Sequence, residues 1–191
     1  MIEQALQFIQ GELNNFLARS GLPQDRVVVL SSLAAPQGGV APDIEQQLVL
    51  TLINIEREAT LGAPSFMAQA GGAYARTQQA LHLNLIILLS ASYSGDYPGA
   101  LRALGAAMSF LQAKPAYDSQ NSDDFPPAMS QLTMEFISLS LGELGTLWTV
   151  LGANYLPSAV YKLRMISLNA QWTVASAPAI DKIAPTIGVG T

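Results

Sequence analysis

One histidine, two closely spaced glutamates and one acidic loop are the residues of this chain whose types and spacing could do chemistry. His82 is the only histidine in 191 residues, and there is no cysteine. A zinc site needs several His, Cys or carboxylate ligands at matched spacings. With no second His and no thiol, His82 reads as a structural histidine at the rim of a sheet. A Ser-His-Asp relay would also have to use His82, and the Gly-x-Ser-x-Gly turn that presents such a serine does not occur. Glu56 and Glu58 lie two apart, so on a strand they share a face, as paired acid/base carboxylates could. They sit where a strand leaves the core with Arg57 between them, which favours a solvated or interface charge cluster. Asp118, Asn121, Asp123 and Asp124 suggest calcium ligands, but the turn glycine and closing glutamate of a calcium loop are missing. The glycines at 38–39, 71–72 and 142/145 match neither a phosphate-binding loop nor a dinucleotide fingerprint. These residues predict no catalytic centre, no cofactor and no metal.

Composition narrows the class further. The length suits one domain with a real core. Half of the residues are hydrophobic and 12% are charged, against roughly 25% charged in an average soluble domain. A surface so poor in charge suits a protein partly covered by partners. Net charge is −5 and the nine basic residues form no run, which argues against nucleic acid as a partner. No basic segment leading into an apolar stretch marks a signal peptide. The longest unbroken apolar run, residues 85–89, is far short of the ~20 residues of a membrane helix, so no membrane insertion is expected.

The elements that must position these residues begin with residues 81–93, read as a buried central strand. Leu81, Leu83, Leu85, Ile87 and Leu89 share one face at period two. The opposite face runs from His82 and Asn84 through Ile86 and Leu88 to Ser90 and Ser92, apolar in its middle and expected to be wet at its ends. Before it, residues 2–20 have the spacing of an amphipathic helix, ended by Gly21 and Pro23. Residues 26–30 form a short β-branched strand, and residues 47–58 a long one, with Leu48, Leu50 and Leu52 on one face and Val49, Ile53 and Ile55 on the other. Residues 34–42 and 62–79 read as loops.

After the central strand, Pro98 opens a helix whose buried stripe is expected to be Leu101, Leu104, Met108 and Leu111. A loop over 118–127 leads to a strand over 131–138, with Leu132, Met134 and Phe136 inward. Ser140 and Glu143 form a capping box for a third helix, with Leu144, Leu147, Trp148 and Leu151 on its apolar side and Gly152 as its stop. The strand over 159–168 turns Tyr161, Leu163 and Met165 in and Lys162 and Arg164 out. From 171 the chain is apolar but broken by Pro178 and Pro185, the pattern of an arm. The predicted fold is α+β: a mixed, largely antiparallel sheet flanked by three helices. Residues 1–169 form the domain and 170–191 an extended C-terminal arm.

The ordered set of motifs resembles the tail-terminator, or cap, proteins of phage-like contractile injection systems. Four stretches carry the likeness: Leu50-Thr-Leu-Ile-Asn-Ile-Glu-Arg-Glu-Ala-Thr-Leu61; Leu81-His-Leu-Asn-Leu85 with the apolar run after it; Ala100-Leu101 through Phe110-Leu-Gln-Ala-Lys-Pro115 and then Asn121-Ser; and Leu139-Ser-Leu-Gly-Glu-Leu144 with Trp148, Leu151-Gly-Ala-Asn-Tyr-Leu-Pro-Ser158 and Tyr161-Lys-Leu-Arg-Met165. The loop over 62–79 departs from the family by being rich in Ala and Gly. Some members carry an additional C-terminal domain, and none is expected here. The resemblance implies a structural cap, not an enzyme: a ring of six copies that ends the inner tube and sheath and stabilises that end. Such a protein is made in the cytoplasm and then joins the assembled particle. Its partners would be itself, the inner tube protein and the sheath protein. On exposure and position alone, Glu56, Arg57, Glu58, Lys162, Arg164 and Trp172 are the interface candidates. Low charge and a large apolar fraction leave a small apolar-ligand binding module as the alternative, and an enzyme built on Glu56 and Glu58 as a third reading.

Overall fold

In the computed structural model of the chain, the helical spacing of Leu6, Ile9, Leu13 and Leu17 produces α1 (Ile2–Arg19), with all four residues buried. The other elements are β1 (Val28–Leu30), β2 (Gln47–Arg57), β3 (Ala68–Ala70), β4 (Ala73–Thr77), β5 (Leu83–Ser92), α2 (Tyr97–Ala113), β6 (Ala116–Tyr117), β7 (Met129–Ile137), α3 (Leu141–Leu151), β8 (Ser158–Ser167) and β9 (Thr173–Pro178). The structure describes residues 1–20, 28–35, 41, 44–58, 68–70, 73–77, 82–167 and 173–178, with the backbone alone in 68–70, 73–77, 166–167 and 173–178. The chain divides into two units, Met1–Glu58 with Leu81–Leu168, and Ala59–Ala80 with Asn169–Thr191.

The larger unit is built on a six-stranded sheet in the order β1-β2-β5-β8-β7-β6. Among the described residues only β1 and β2 pair in parallel, and the other pairs of this sheet are antiparallel. This is the mixed, largely antiparallel α+β fold expected from the sequence, with three helices among the described residues. In the smaller unit, β3, β4 and β9 make a three-stranded antiparallel sheet. The stretch expected as a loop over 62–79 thus contains two strands, and the C-terminal stretch contributes a third.

Alternation splits the larger unit into two cores. Leu85, Ile87 and Leu89 of β5 join Leu48 and Leu50 of β2 and Leu163 and Met165 of β8 under α1 and α2. Leu88 turns the other way and meets Val49, Val160 and Trp148 under α3. The polar ends of the second face of β5 are not wet as expected. Asn84, Ser90 and Ser92 are all buried, because neighbouring strands extend past the apolar middle of β5 on both sides. The Ser90 hydroxyl faces the Val49 carbonyl at 3.5 Å.

Three further expectations change. α2 rests on the sheet through Ala100, Ala103, Leu104, Ala107 and Leu111, so its buried stripe is mostly alanine, and Leu101 points away at 47% exposure. A helix seated on small residues can approach the sheet closely, and this rotates the larger Leu101 outward. Phe136 lies on the same face as Leu132 and Met134, but near the edge of the sheet, and is 48% exposed. β2 carries a bulge between Leu52 and Asn54, where two residues face one on β5. Ile55 therefore pairs with Leu85 and leaves the face of Val49, whereas Asn54 and Glu56 move onto it. α1 is capped at Ser20; Gly21 and Pro23, expected to end it, lie outside the described residues.

A polar clasp ties α1 to the end of α2. Lys114 Nζ lies 2.6 Å from Glu12 Oε2 and 2.9 Å from Ser122 Oγ, and sits 4.9 Å over the Tyr117 ring. Tyr117 is completely buried, packs edge-on against Phe8, and its hydroxyl has no partner among the described residues. Burial, reinforced by the negative charge of Glu12, pushes its phenol well above the usual range; burial also raises Tyr161. A phenol raised on folding keeps its stabilising contribution below an unfolded value of ~10 and loses it as pH climbs through the folded value. Alkaline titration followed by circular dichroism should therefore show unfolding above pH ~10, displaced upward by Tyr117→Phe. At neutral pH the same substitution removes an unsatisfied buried hydroxyl and should stabilise the fold by about 1 kcal/mol, read from denaturant unfolding.

Candidate interface groove

α3 is held by its ends more than by its length. Ser140 Oγ accepts the Glu143 N–H at 3.3 Å, and Glu143 Oε2 accepts the Ser140 N–H at 2.8 Å, the reciprocal box expected from the sequence. The Ser140 hydroxyl and then its N–H hold the Glu143 carboxyl below the usual carboxylate range. That share of the cap is present above the ordinary carboxylate pKa and lost as pH falls through the lowered value. Gly152 closes the helix in the left-handed conformation at φ 63°. Between these ends only Trp148 is buried, while Leu141 and Val150 are 87% and 78% exposed.

So lightly seated a helix leaves a groove of about 750 Å3 between its first two turns and the sheet. Its floor is Ile53, Ile86, Val160 and Ile137; Leu139, Gly142, Glu143, Thr146 and Leu147 form the helix side; Asn54, Glu56 and Lys162 complete the rim. The bulge in β2 is what aims Asn54 and Glu56 here. Lys162 stands in register with Ile86 on one side and Glu135 on the other. It has no ion pair among the described residues.

The structure separates the six interface candidates. Glu56 and Lys162 both line the groove. Arg57 is exposed and pairs with Leu83, on the other face of the sheet. Glu58 is buried, with its Oε2 2.9 Å from Arg164 Nε; the guanidinium is partly exposed while the carboxylate is not. That pair is therefore an internal tie. Trp172 lies outside the described residues. Trp148 is a core residue and stacks edge-on with Tyr155. Glu56 is exposed, whereas Glu58 is buried and engaged by Arg164, so the two carboxylates differ in environment. The backbone carbonyl of His82 accepts the Glu58 N–H at 3.0 Å, which places His82 at the sheet rim as expected. Among the described residues no group of three or more His, Asp or Glu could hold a metal ion. The acidic loop is organised from within: Asp118 Oδ1 accepts the N–H groups of Gln120 and Asn121 at 2.8 and 3.0 Å. No helix among the described residues is long and apolar enough to cross a membrane.

Sequence reasoning missed the groove because its floor is assembled from single residues of four strands. The available signal was the α3 sequence itself, apolar almost all round with one charge in eleven residues.

Residues 4–182 match the family described as the Pvc16 N-terminal domain. Among solved structures, the chain resembles the sheath/tube terminator, in its extended state, of the extracellular contractile injection system PVC. Identity is 17% and the TM-score 0.56, over 100% of this chain and 64% of that one. It also matches the tube-terminating cap of the anti-feeding prophage at 15% identity and a TM-score of 0.49, over 92% of this chain and 60% of that one. At 17% identity the first likeness is one of fold, and this chain spans less than two thirds of the length of that terminator. Comparison with curated proteins gave no match.

The internal tie makes a direct prediction. Arg164→Met leaves the Glu58 carboxylate buried without its guanidinium and should cost about 1–3 kcal/mol in denaturant unfolding. Adding Glu58→Gln should recover part of that loss in a double-mutant cycle.

Proposed function

Because the chain belongs to the family described as the Pvc16 N-terminal domain, we propose that it is the structural cap of a contractile injection system. The observation that carries this reading is the family match across residues 4–182, supported by a fold shared with a sheath/tube terminator. The protein acts by ending polymers. Tube and sheath grow through head-to-tail contacts that do not close on themselves, so nothing in their own geometry stops growth. A subunit that matches the last ring on one side and offers no site for a further ring on the other fixes the length and holds the end.

In this reading the protein works without catalysis or cofactor. It forms a closed ring of its own copies, six in number, and binds the inner tube protein and the sheath protein. It is made in the cytoplasm and ends in the assembled particle. Residues 1–169 supply the capping domain and 170–191 an arm for contacts with neighbours. Of the six candidates, Glu56, Arg57 and Lys162 offer charge for interfaces, with Trp172 in the C-terminal stretch; Glu58 and Arg164 support the strands that present them.

The test is elongation of tube and sheath subunits with and without the purified chain, followed by negative-stain electron microscopy. The expected result is shorter tubes as the chain is added, with one end blunt and decorated. Unchanged lengths and bare ends at excess chain would sink the proposal.

A further inference from the structure

The two faces of the larger unit carry surfaces that complement each other. On one face lies the groove beside α3, with an apolar floor and two charges on its rim, Glu56 on β2 and Lys162 on β8. On the other face, beyond the core that α1 and α2 cover, α2 turns outward Tyr97 and Leu101, 60% and 47% exposed. These are the large apolar residues of its outer side. Asp96 caps the helix just before Tyr97, and Arg102 follows Leu101. Arg102 is exposed and has no ion pair among the described residues.

The charges match in order and in spacing. Asp96 and Arg102 are six residues apart, about 9 Å along a helix axis. Lys162 and Glu56 stand two strands apart, about 10 Å across the sheet, and two residues apart along it, so about 12 Å in all. A helix laid across the strands with Tyr97 and Leu101 in the groove would set Asp96 toward Lys162 and Arg102 toward Glu56. Within one copy this docking cannot occur, because α2 and the groove lie on opposite faces of the same sheet. Between copies it is head-to-tail, the type of contact that closes into a ring when the rotation per subunit allows.

We propose that the α3 groove is the self-association site of this protein and that its occupant is the outer face of α2 from the next copy. This rests on the ring reading above and adds to it the surfaces that form the ring. The apolar floor supplies the affinity, and the paired charges fix the direction in which one copy meets the next.

Native mass spectrometry of the full chain, with circular dichroism as a check on folding, tests the pairing. Wild-type protein should form rings. Leu101→Glu, Arg102→Glu and Glu56→Arg should each weaken association by about tenfold or more while the spectrum stays unchanged. An equimolar mixture of Arg102→Glu with Glu56→Arg should form rings again. In an alternating ring of the two, every contact is either wild type or charge-reversed on both sides. Rings that survive all three substitutions overturn the proposed surfaces and leave the ring reading standing. A mixture that stays dissociated overturns the Arg102–Glu56 pairing. Wild-type protein that remains monomeric both alone and with tube subunits overturns the surfaces and the ring together.

Discussion

Leu85, Ile87 and Leu89 pack toward α1 and α2 while Leu88 packs toward α3, so one ten-residue strand serves two hydrophobic cores at once. Each of these side chains, fully withdrawn from water, contributes about 1.5–3 kcal/mol. The constraint reaches further than that energy. With both faces covered and strands on both edges, β5 has no side on which a polar group can reach solvent through most of its length. Its neighbours β2 and β8 must supply both its hydrogen-bonding partners and the lateral walls of both cores. The three helices then have fixed places: two over the Leu85 face and one over the Leu88 face.

This dual burial explains which parts of the fold could be read from sequence. A run apolar at nearly every position, bounded by polar residues, has few homes other than an inner strand. The α3 box was equally plain, because Ser140, Glu143 and Gly152 act through local backbone geometry alone. What escaped depends on partners distant in sequence. The inward side of α2 is set by how closely the sheet lets the helix approach, and Ala100, Ala103 and Ala107 win that place from Leu101. The exposure of Phe136 depends on how few strands lie beyond β7. The faces of Asn54, Ile55 and Glu56 depend on a bulge created jointly by two strands, which no period in one of them can announce. The candidate site was legible only in part for the same reason. Glu56 and Lys162 were identified as exposed charges, but their convergence on one groove follows from the bulge and from the placing of β5 between β2 and β8.

The low charge of the sequence has a structural counterpart in the uneven coverage of the two cores. The α1/α2 side has the larger core, with Phe8 edge-on against Tyr117 and Phe125 and Phe16 stacked on Phe110 at its margin. The α3 side is thin, with one buried aromatic, a half-open groove and large apolar residues facing outward. Most of the buried apolar residues therefore lie on one side of the sheet. The α3 side can therefore be altered with little effect on the larger core.

The bulge in β2 has one more effect. Beyond its three-residue pairing with β1, no strand among the described residues covers the outer edge of β2. The uncovered stretch carries the exposed charges Glu56 and Arg57 and, just past the bulge, an Ile55 N–H already taken by the Asn54 side chain at 2.9 Å. Each of these features discourages a strand from a neighbouring molecule. Left unpaired, that edge therefore offers a neighbouring strand a poor template for cross-β growth.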